Sequence, residues 1–215
     1  MKSVIFDLDG TLINSAPDIL VAVNLALSDR NVEPIDLETL TTFIGNGLPH
    51  LVLLTMEHVG LPLSEHAEMS AKTLRYYNSA SANLTEFYDG VPELLEYLDV
   101  SGVTMGICTN KPYEPTMDIL QKFHIAKYFD IVIGGDSLPQ RKPDPTPLQK
   151  AIDTLGAKKV LYVGDSEVDA ETALRARVPF ALFTRGYRTT PVDDLPHVIA
   201  FDDFSKLRAK FDKLL

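Results

Sequence analysis

The chain has 215 residues, 45% of them hydrophobic and 23% charged, with 20 lysines and arginines against 30 aspartates and glutamates, a formal net charge of -10. That length can bury a real core, and the acidic balance argues against nucleic acid, which needs a basic patch, while allowing a small anionic substrate in a locally charged cleft. No apolar run reaches the ~18 residues of a membrane span, Val4-Ile5-Phe6 is too short for a signal peptide, and the single cysteine, Cys108, excludes an internal disulfide and implies a reduced, cytoplasmic setting.

In chain order, residues 4–7 (VIFD) read as a buried strand ending in Asp7, with Asp9 one residue beyond Leu8. If the strand continued, both carboxylates would leave on one face. Adjacent like charges cost free energy unless a cation or a proton offsets them. Residues 15–30, 36–43, 47–60 and 63–80 then carry helical spacing with no strand between them. From about residue 88 the pattern alternates. A helix at 91–102 has Pro92 in its first turn and Gly102 as its stop, and a strand follows at 103–110. Cys108 falls in that apolar run and reads as a small core residue. Next come a helix at 115–125, a strand at 129–136, a helix at 146–156 ended by Gly156, and a strand at 159–165. A helix at 167–177, strands at 179–184 and 197–201, and a helix from about Asp203 complete the chain.

Short apolar strands alternating with helices specify a parallel sheet covered on both faces. The expected fold is α/β: a doubly wound, Rossmann-like parallel sheet core from residues 1–13 and 86–215. A small all-helical cap domain, residues 14–85, is inserted after the first strand. There are no internal repeats and no low-complexity segments.

In such a sheet, ligands bind at the carboxyl ends of the strands, where the strand-to-helix loops converge. Four of these loops hold unusual polar residues: Asp7 and Asp9; Thr109 and Asn110; Lys142; and Asp165 with Asp169. Each has a plain reading on its own. Asp9-Gly10 is a common turn, Thr109 could cap a helix, Lys142 could be a surface lysine, and Asp165 and Asp169 could answer a helix dipole. Together they follow separate strands at one edge of the sheet, which chance does not readily produce.

The set also has a joint chemistry. Asp7, Asp9 and Asp165 offer hard oxygen ligands suited to Mg²⁺, and Thr109 and Lys142 offer a hydroxyl and a positive charge to phosphate oxygens. A carboxylate can attack phosphorus to form an aspartyl-phosphate, but a phosphate dianion repels it. Two unit charges ~4 Å apart interact by about 4 kcal/mol at an effective dielectric near 20. A metal and Lys142 would cancel that repulsion and stabilise charge on the transferring group. An EF-hand loop is excluded, because Gly10 is fourth rather than sixth in the DLDG run and a strand precedes it.

These residues resemble the haloacid dehalogenase superfamily of phosphatases: DLDGT matches its first motif, ICTN its second, Lys142 in RKPDP its third and GDSEVD its fourth. Within the superfamily the chain is most similar to the phosphoglycolate phosphatases, through TNKP, IAKYFDIVIGGD, KPDPTPL and FIGNG. The resemblance implies a Mg²⁺-dependent phosphatase acting on a small anionic phosphorylated metabolite, 2-phosphoglycolate above all, as a monomer or homodimer. It implies that Asp7 is the nucleophile and a metal ligand. Asp9 would protonate the leaving alkoxide, then activate water, and give the metal its backbone carbonyl. Thr109, Asn110 and Lys142 would hold the phosphoryl group. Asp165 would bind Mg²⁺ directly, and Asp169 would support the site or bind through water. A dehalogenase lacks the second aspartate, so Asp9 favours phosphate chemistry.

Recognition of the leaving group is less determined. Gly45-Asn46-Gly47 is either a plain interhelical turn or, as the resemblance implies, a cap loop that helps choose the substrate through backbone N–H groups. Residues 14–85 hold three basic residues (Arg30, Lys72 and Arg75) against eight acidic ones. A carboxylate there would depend on that loop, on His50, or on Arg185 and Arg188 elsewhere. Two other classes stay open: a phosphotransferase such as a sugar-phosphate mutase, and a non-catalytic phospho-switch resembling a response-regulator receiver. A receiver is shorter and lacks both a cap and an Asp-x-Asp pair.

Overall fold

In the computed structural model the described residues are 2–80 and 83–214. The chain divides into two compact units, Ser15–Glu86 and the combination of Met1–Asn14 with Phe87–Leu215.

The first of these is helical: α1 (Ala16–Ser28), α2 (Leu37–Thr41), α3 (Leu48–Val59) and α4 (His66–Ala80). Pro17 and Pro49 lie in first turns, where the missing N–H has no helical partner to lose. Asp36 caps α2 by accepting the Thr39 N–H at 2.8 Å. Ile19, Val23 and Leu27 recur along α1 at helical spacing and are buried, as are Leu51, Val52 and Met56 of α3. Asp18, buried in α1, accepts the Leu84 N–H at 3.0 Å and the Thr85 hydroxyl at 2.6 Å. Arg30 pairs with Glu65 and Lys72 with Asp29, and His50 is exposed.

The second unit holds a six-stranded parallel sheet. Its strands are β1 (Lys2–Phe6), β2 (Thr104–Cys108), β3 (Ile131–Ile133), β4 (Lys159–Gly164), β5 (Phe180–Phe183) and β6 (Ile199–Phe201). Helices α5 (Val91–Val100), α6 (Tyr113–Lys122), α7 (Thr146–Leu155), α8 (Glu167–Ala176) and α9 (Phe204–Leu214) connect or follow them. The spatial order β3-β2-β1-β4-β5-β6 means the chain winds outward from β1, then returns to its other side. That reversal opens a crevice between the ends of β1 and β4, and the doubly wound α/β fold read from the sequence is the one observed.

The alternation of strand side chains builds two cores. Ile5, Tyr162, Phe180 and Leu182 share one cluster with Leu148, Ala151 and Leu155 of α7 and Ala170 and Ala173 of α8. Phe183, next to Leu182 in β5, faces the other way and packs with Phe201 and Phe204 at centroid distances of 5.5 and 5.0 Å. Cys108 is fully buried in the first cluster, as expected.

Local boundaries shift for identifiable reasons. Helix α6 begins at Tyr113, ahead of the expected 115, because Pro115 fits within a first turn. Strand β3 stops at Ile133 rather than 136. A side chain on Gly134 or Gly135 would meet the backbone of Tyr113 at 2.5 Å or of Asn110 at 2.2 Å, so the chain turns tightly there. Among the described residues no helix is long and apolar enough to cross a membrane.

Candidate active site

The carboxyl ends of β1, β2 and β4, with the loop after β3, gather the polar residues singled out from the sequence. Asp7 continues the β1–β4 ladder by one bond, its N–H donating to Val163 at 2.9 Å. The chain then folds on itself: the N–H groups of Thr11, Leu12 and Ile13 all donate to the Leu8 carbonyl. Gly10, at φ 85°, makes this turn possible.

After β2, the Thr109 N–H donates to Ile133 at 3.0 Å, fixing the loop against β3. The Thr109 hydroxyl accepts the Lys111 N–H at 3.2 Å. The Asn110 side-chain amide donates to the Lys142 carbonyl at 3.0 Å, so one loop holds the other. After β4, Ser166 and Asp169 form a capping box that starts α8.

Lys142 is the hub. Its Nζ stands 2.6 Å from Asp169 Oδ1 and 3.0 Å from Asp7 Oδ1, and donates to the Tyr162 hydroxyl at 2.9 Å. That hydroxyl also donates to Asp169 Oδ1 at 2.7 Å. The other oxygen of Asp169 accepts from the Ser166 hydroxyl at 2.7 Å and from the N–H groups of Asp165 and Ser166 at 3.2 Å. Asp169 is thus filled by protein donors. Among the described residues the donors to Asp165 are neutral, the Thr11 hydroxyl and the Tyr187 N–H, both at 2.7 Å.

Carboxylate oxygens of Asp7, Asp165 and Asp169 all lie within 4.8 Å of one another, and all three residues are buried. Burial pushes Asp7 up to about 7, with Lys142 opposing and Asp169 reinforcing that rise. Burial, then the charges of Asp169 and Asp7, raise Asp165 well above the carboxylate range. Asp169 goes the other way: burial would raise it, but Lys142 and the hydrogen bonds of Ser166 and Tyr162 hold it low. Burial would lower Lys142, yet Asp169 and Asp7 keep it above the ordinary lysine range.

One lysine therefore faces three carboxylates, and no ion pair among the described residues reaches Asp165. A hard cation on the oxygens of Asp7 and Asp165 would offset the surplus negative charge. The donor set fits such a group.

Asp9 stands apart from the cluster. Both its oxygens accept from Lys111 Nζ at 3.2 Å. Arg185 makes an exposed ion pair with Asp89, and Arg188 donates to the Thr184 carbonyl. Gly45 and Gly47 of the helical unit adopt φ 135° and 83°, and Gly47 precedes the first turn of α3.

Sequence reasoning passed over Lys111, Tyr162, Thr11 and Ser166. Lys111 lay inside the TNKP run without an assigned role. Tyr162 was legible in principle: a phenol in a central apolar strand needs a partner for its hydroxyl. Nothing local pointed to Thr11, whose partner Asp165 is 154 positions away.

The sequence model of the haloacid dehalogenase-like hydrolase family matches residues 4–183. A phosphoglycolate phosphatase of Cereibacter sphaeroides is 48% identical over 209 residues, 96% of each chain. That of Rhodobacter capsulatus is 43% identical, over 95% of this chain and 94% of its own. The crystal structure of a predicted phosphoglycolate phosphatase from Haemophilus somnus superposes with a TM-score of 0.93 at 32% identity, covering 98% of both chains.

Proposed function

The chain belongs to the haloacid dehalogenase-like hydrolase family, and from that premise we propose that it hydrolyses 2-phosphoglycolate to glycolate and phosphate through an aspartyl-phosphate on Asp7. One observation carries the chemistry: the buried Asp7 carboxylate lies 3.0 Å from a lysine that Asp169 holds in place. The choice of substrate rests on the near full-length likeness to phosphoglycolate phosphatases.

In this reading an oxygen of Asp7 attacks phosphorus, and the bond from phosphorus to the ester oxygen breaks. Asp9 gives its proton to the departing alkoxide. It then takes a proton from water as that water attacks the acyl phosphate, releasing phosphate and restoring Asp7. Lys142, Thr109 and Asn110 hold the phosphoryl oxygens, and the charge on Lys142 counts most as negative charge redistributes. Asp7, Asp165 and the Asp9 backbone carbonyl would hold Mg²⁺, which when bound supplies positive charge against both the phosphate and the carboxylates. Asp169, filled by five donors, supports the site by positioning Lys142 rather than by direct ligation. A part for Gly45, Asn46 and Gly47 in choosing the substrate belongs to this proposal on the family likeness, and the two glycines adopt positive φ. We place the enzyme in the cytoplasm, as a monomer or homodimer.

The test is a phosphate-release screen across small phosphorylated metabolites with Mg²⁺, comparing kcat/KM. 2-Phosphoglycolate should lead clearly. A flat profile would remove it as the dedicated substrate, and phosphoryl transfer between sugars without free phosphate would favour a mutase.

A further inference from the structure

The proposed substrate carries two anionic groups, and Lys142 answers only the phosphoryl end. Of the arginines considered for the carboxylate, Arg185 pairs with Asp89 and Arg188 donates to the Thr184 carbonyl, while Arg30 and Lys72 of the helical unit pair with Glu65 and Asp29. Lys111 has a different placing. Its side chain is only 6% exposed, its N–H donates to Thr109, and its carbonyl accepts the Gly135 N–H at 2.8 Å. The Lys111 backbone is thus anchored at the catalytic edge of the sheet, and Nζ lies 3.2 Å from both Asp9 oxygens.

From this geometry we infer that Lys111 binds the carboxylate of the substrate, exchanging Asp9 for it when substrate enters. The inference rests on the functional reading above, in which Asp9 protonates the ester oxygen. That oxygen must come within about 3 Å of the Asp9 carboxyl. One methylene separates it from the carboxylate in 2-phosphoglycolate, so a carboxylate oxygen lies about 3 Å further on by ordinary bond lengths. An ammonium beside Asp9 is therefore within reach of the second anion. The exchange has a consequence for Asp9 as well: losing Lys111 to the substrate leaves its oxygens turned to the ester. A leaving group without a carboxylate does not draw Lys111 away, so this contact selects the substrate.

The experiment compares kcat/KM for 2-phosphoglycolate and for 2-hydroxyethyl phosphate, which lacks the carboxylate, in the wild type, Lys111→Met and Lys111→Arg. Lys111→Met should reduce the preference for 2-phosphoglycolate about tenfold to a hundredfold, mostly through KM, as loss of a charge-assisted hydrogen bond does. Lys111→Arg should restore much of it. Equal loss on both substrates overturns the inference, because Lys111 would then serve only Asp9 or the fold. So does a preference that survives in Lys111→Met. A wild type with no preference for 2-phosphoglycolate brings down the substrate reading, and this inference with it; a preference kept by the variant brings down this inference alone.

Discussion

The ammonium of Lys142 and the carboxylate of Asp169 meet at 2.6 Å, with side chains 2% and 0% exposed. Lys142 lies in a loop and Asp169 in the first turn of α8, 27 positions apart. Asp169 is fixed by the first turn of α8, where it also completes the capping box with Ser166. The helix start therefore aims the lysine that faces Asp7. Asp169→Asn should weaken this link while preserving shape. Stability should fall by roughly 3 kcal/mol, the scale for breaking a buried pair, and kcat by about tenfold to a hundredfold. Urea titration and steady-state kinetics measure the two; an unchanged kcat would separate Asp169 from the chemistry.

Asp165→Asn should behave in the opposite sense in metal-free protein. It removes a buried carboxylate whose donors among the described residues are neutral, and the Thr11 hydroxyl can turn to accept from the new amide. The melting temperature without metal should hold or rise, while Mg²⁺ affinity by calorimetry should fall at least tenfold. A metal affinity equal to wild type would remove Asp165 from the proposed ligand set.

Tyr162→Phe deletes the hydroxyl that joins Lys142, Asp169 and the Cys108 carbonyl at 2.9, 2.7 and 3.2 Å. The ring stays packed against Phe180, so the loss is one of hydrogen bonding. A destabilisation of about 1–3 kcal/mol is expected, because buried groups are left short of a partner. Chemical denaturation checks it.

Two glycines give Asp165 its space. A Cβ at Gly10 would stand 2.5 Å from its Oδ2, and one at Gly186 would stand 2.2 Å from the same atom. Gly186→Ala should therefore displace Asp165 and lower Mg²⁺ affinity more than it lowers helix content. Gly10→Ala adds strain at φ 85°. Calorimetry with circular dichroism separates local from global damage; wild-type metal affinity in both variants would contradict the packing argument.

The pH dependence of stability follows from Asp7. Its folded pKa is raised from 3.8 to about 7, so the native state holds a proton that the unfolded chain has lost across that range. This contribution is fully present below pH 3.8 and is lost as pH rises toward 7. Asp169, held low, has the opposite sign: its contribution is lost as pH falls. Comparing metal-free wild type with Asp7→Asn isolates the first effect. The variant should lose less stability between pH 4 and 7, and saturating Mg²⁺ should flatten the wild-type curve by favouring the ionised carboxylate. Parallel curves for the two proteins would refute the assignment.

Much of this molecule was legible from local chemistry. Alternating helices and short apolar strands announced a parallel doubly wound sheet, because strands buried on both faces must be apolar throughout. The rule that ligands bind at strand carboxyl ends then drew Asp7, Thr109, Lys142 and Asp165 to one edge from four separate loops. What stayed hidden were the partners those residues keep. Tyr162 looked like strand packing, Lys111 like the tail of a motif, and Thr11 like part of a turn. Their roles depend on contacts spanning 20, 102 and 154 positions, and no periodicity encodes a pairing across such distances. By itself the sequence determined the fold class, the edge of the sheet and the acids gathered there, since these follow from short-range pattern and strand direction. Only the tertiary structure decided which acid Lys142 holds, that Asp169 is filled while Asp165 is not, and that Asp9 is paired with Lys111. Burial and opposing charge set those outcomes, and both exist only once the loops have met.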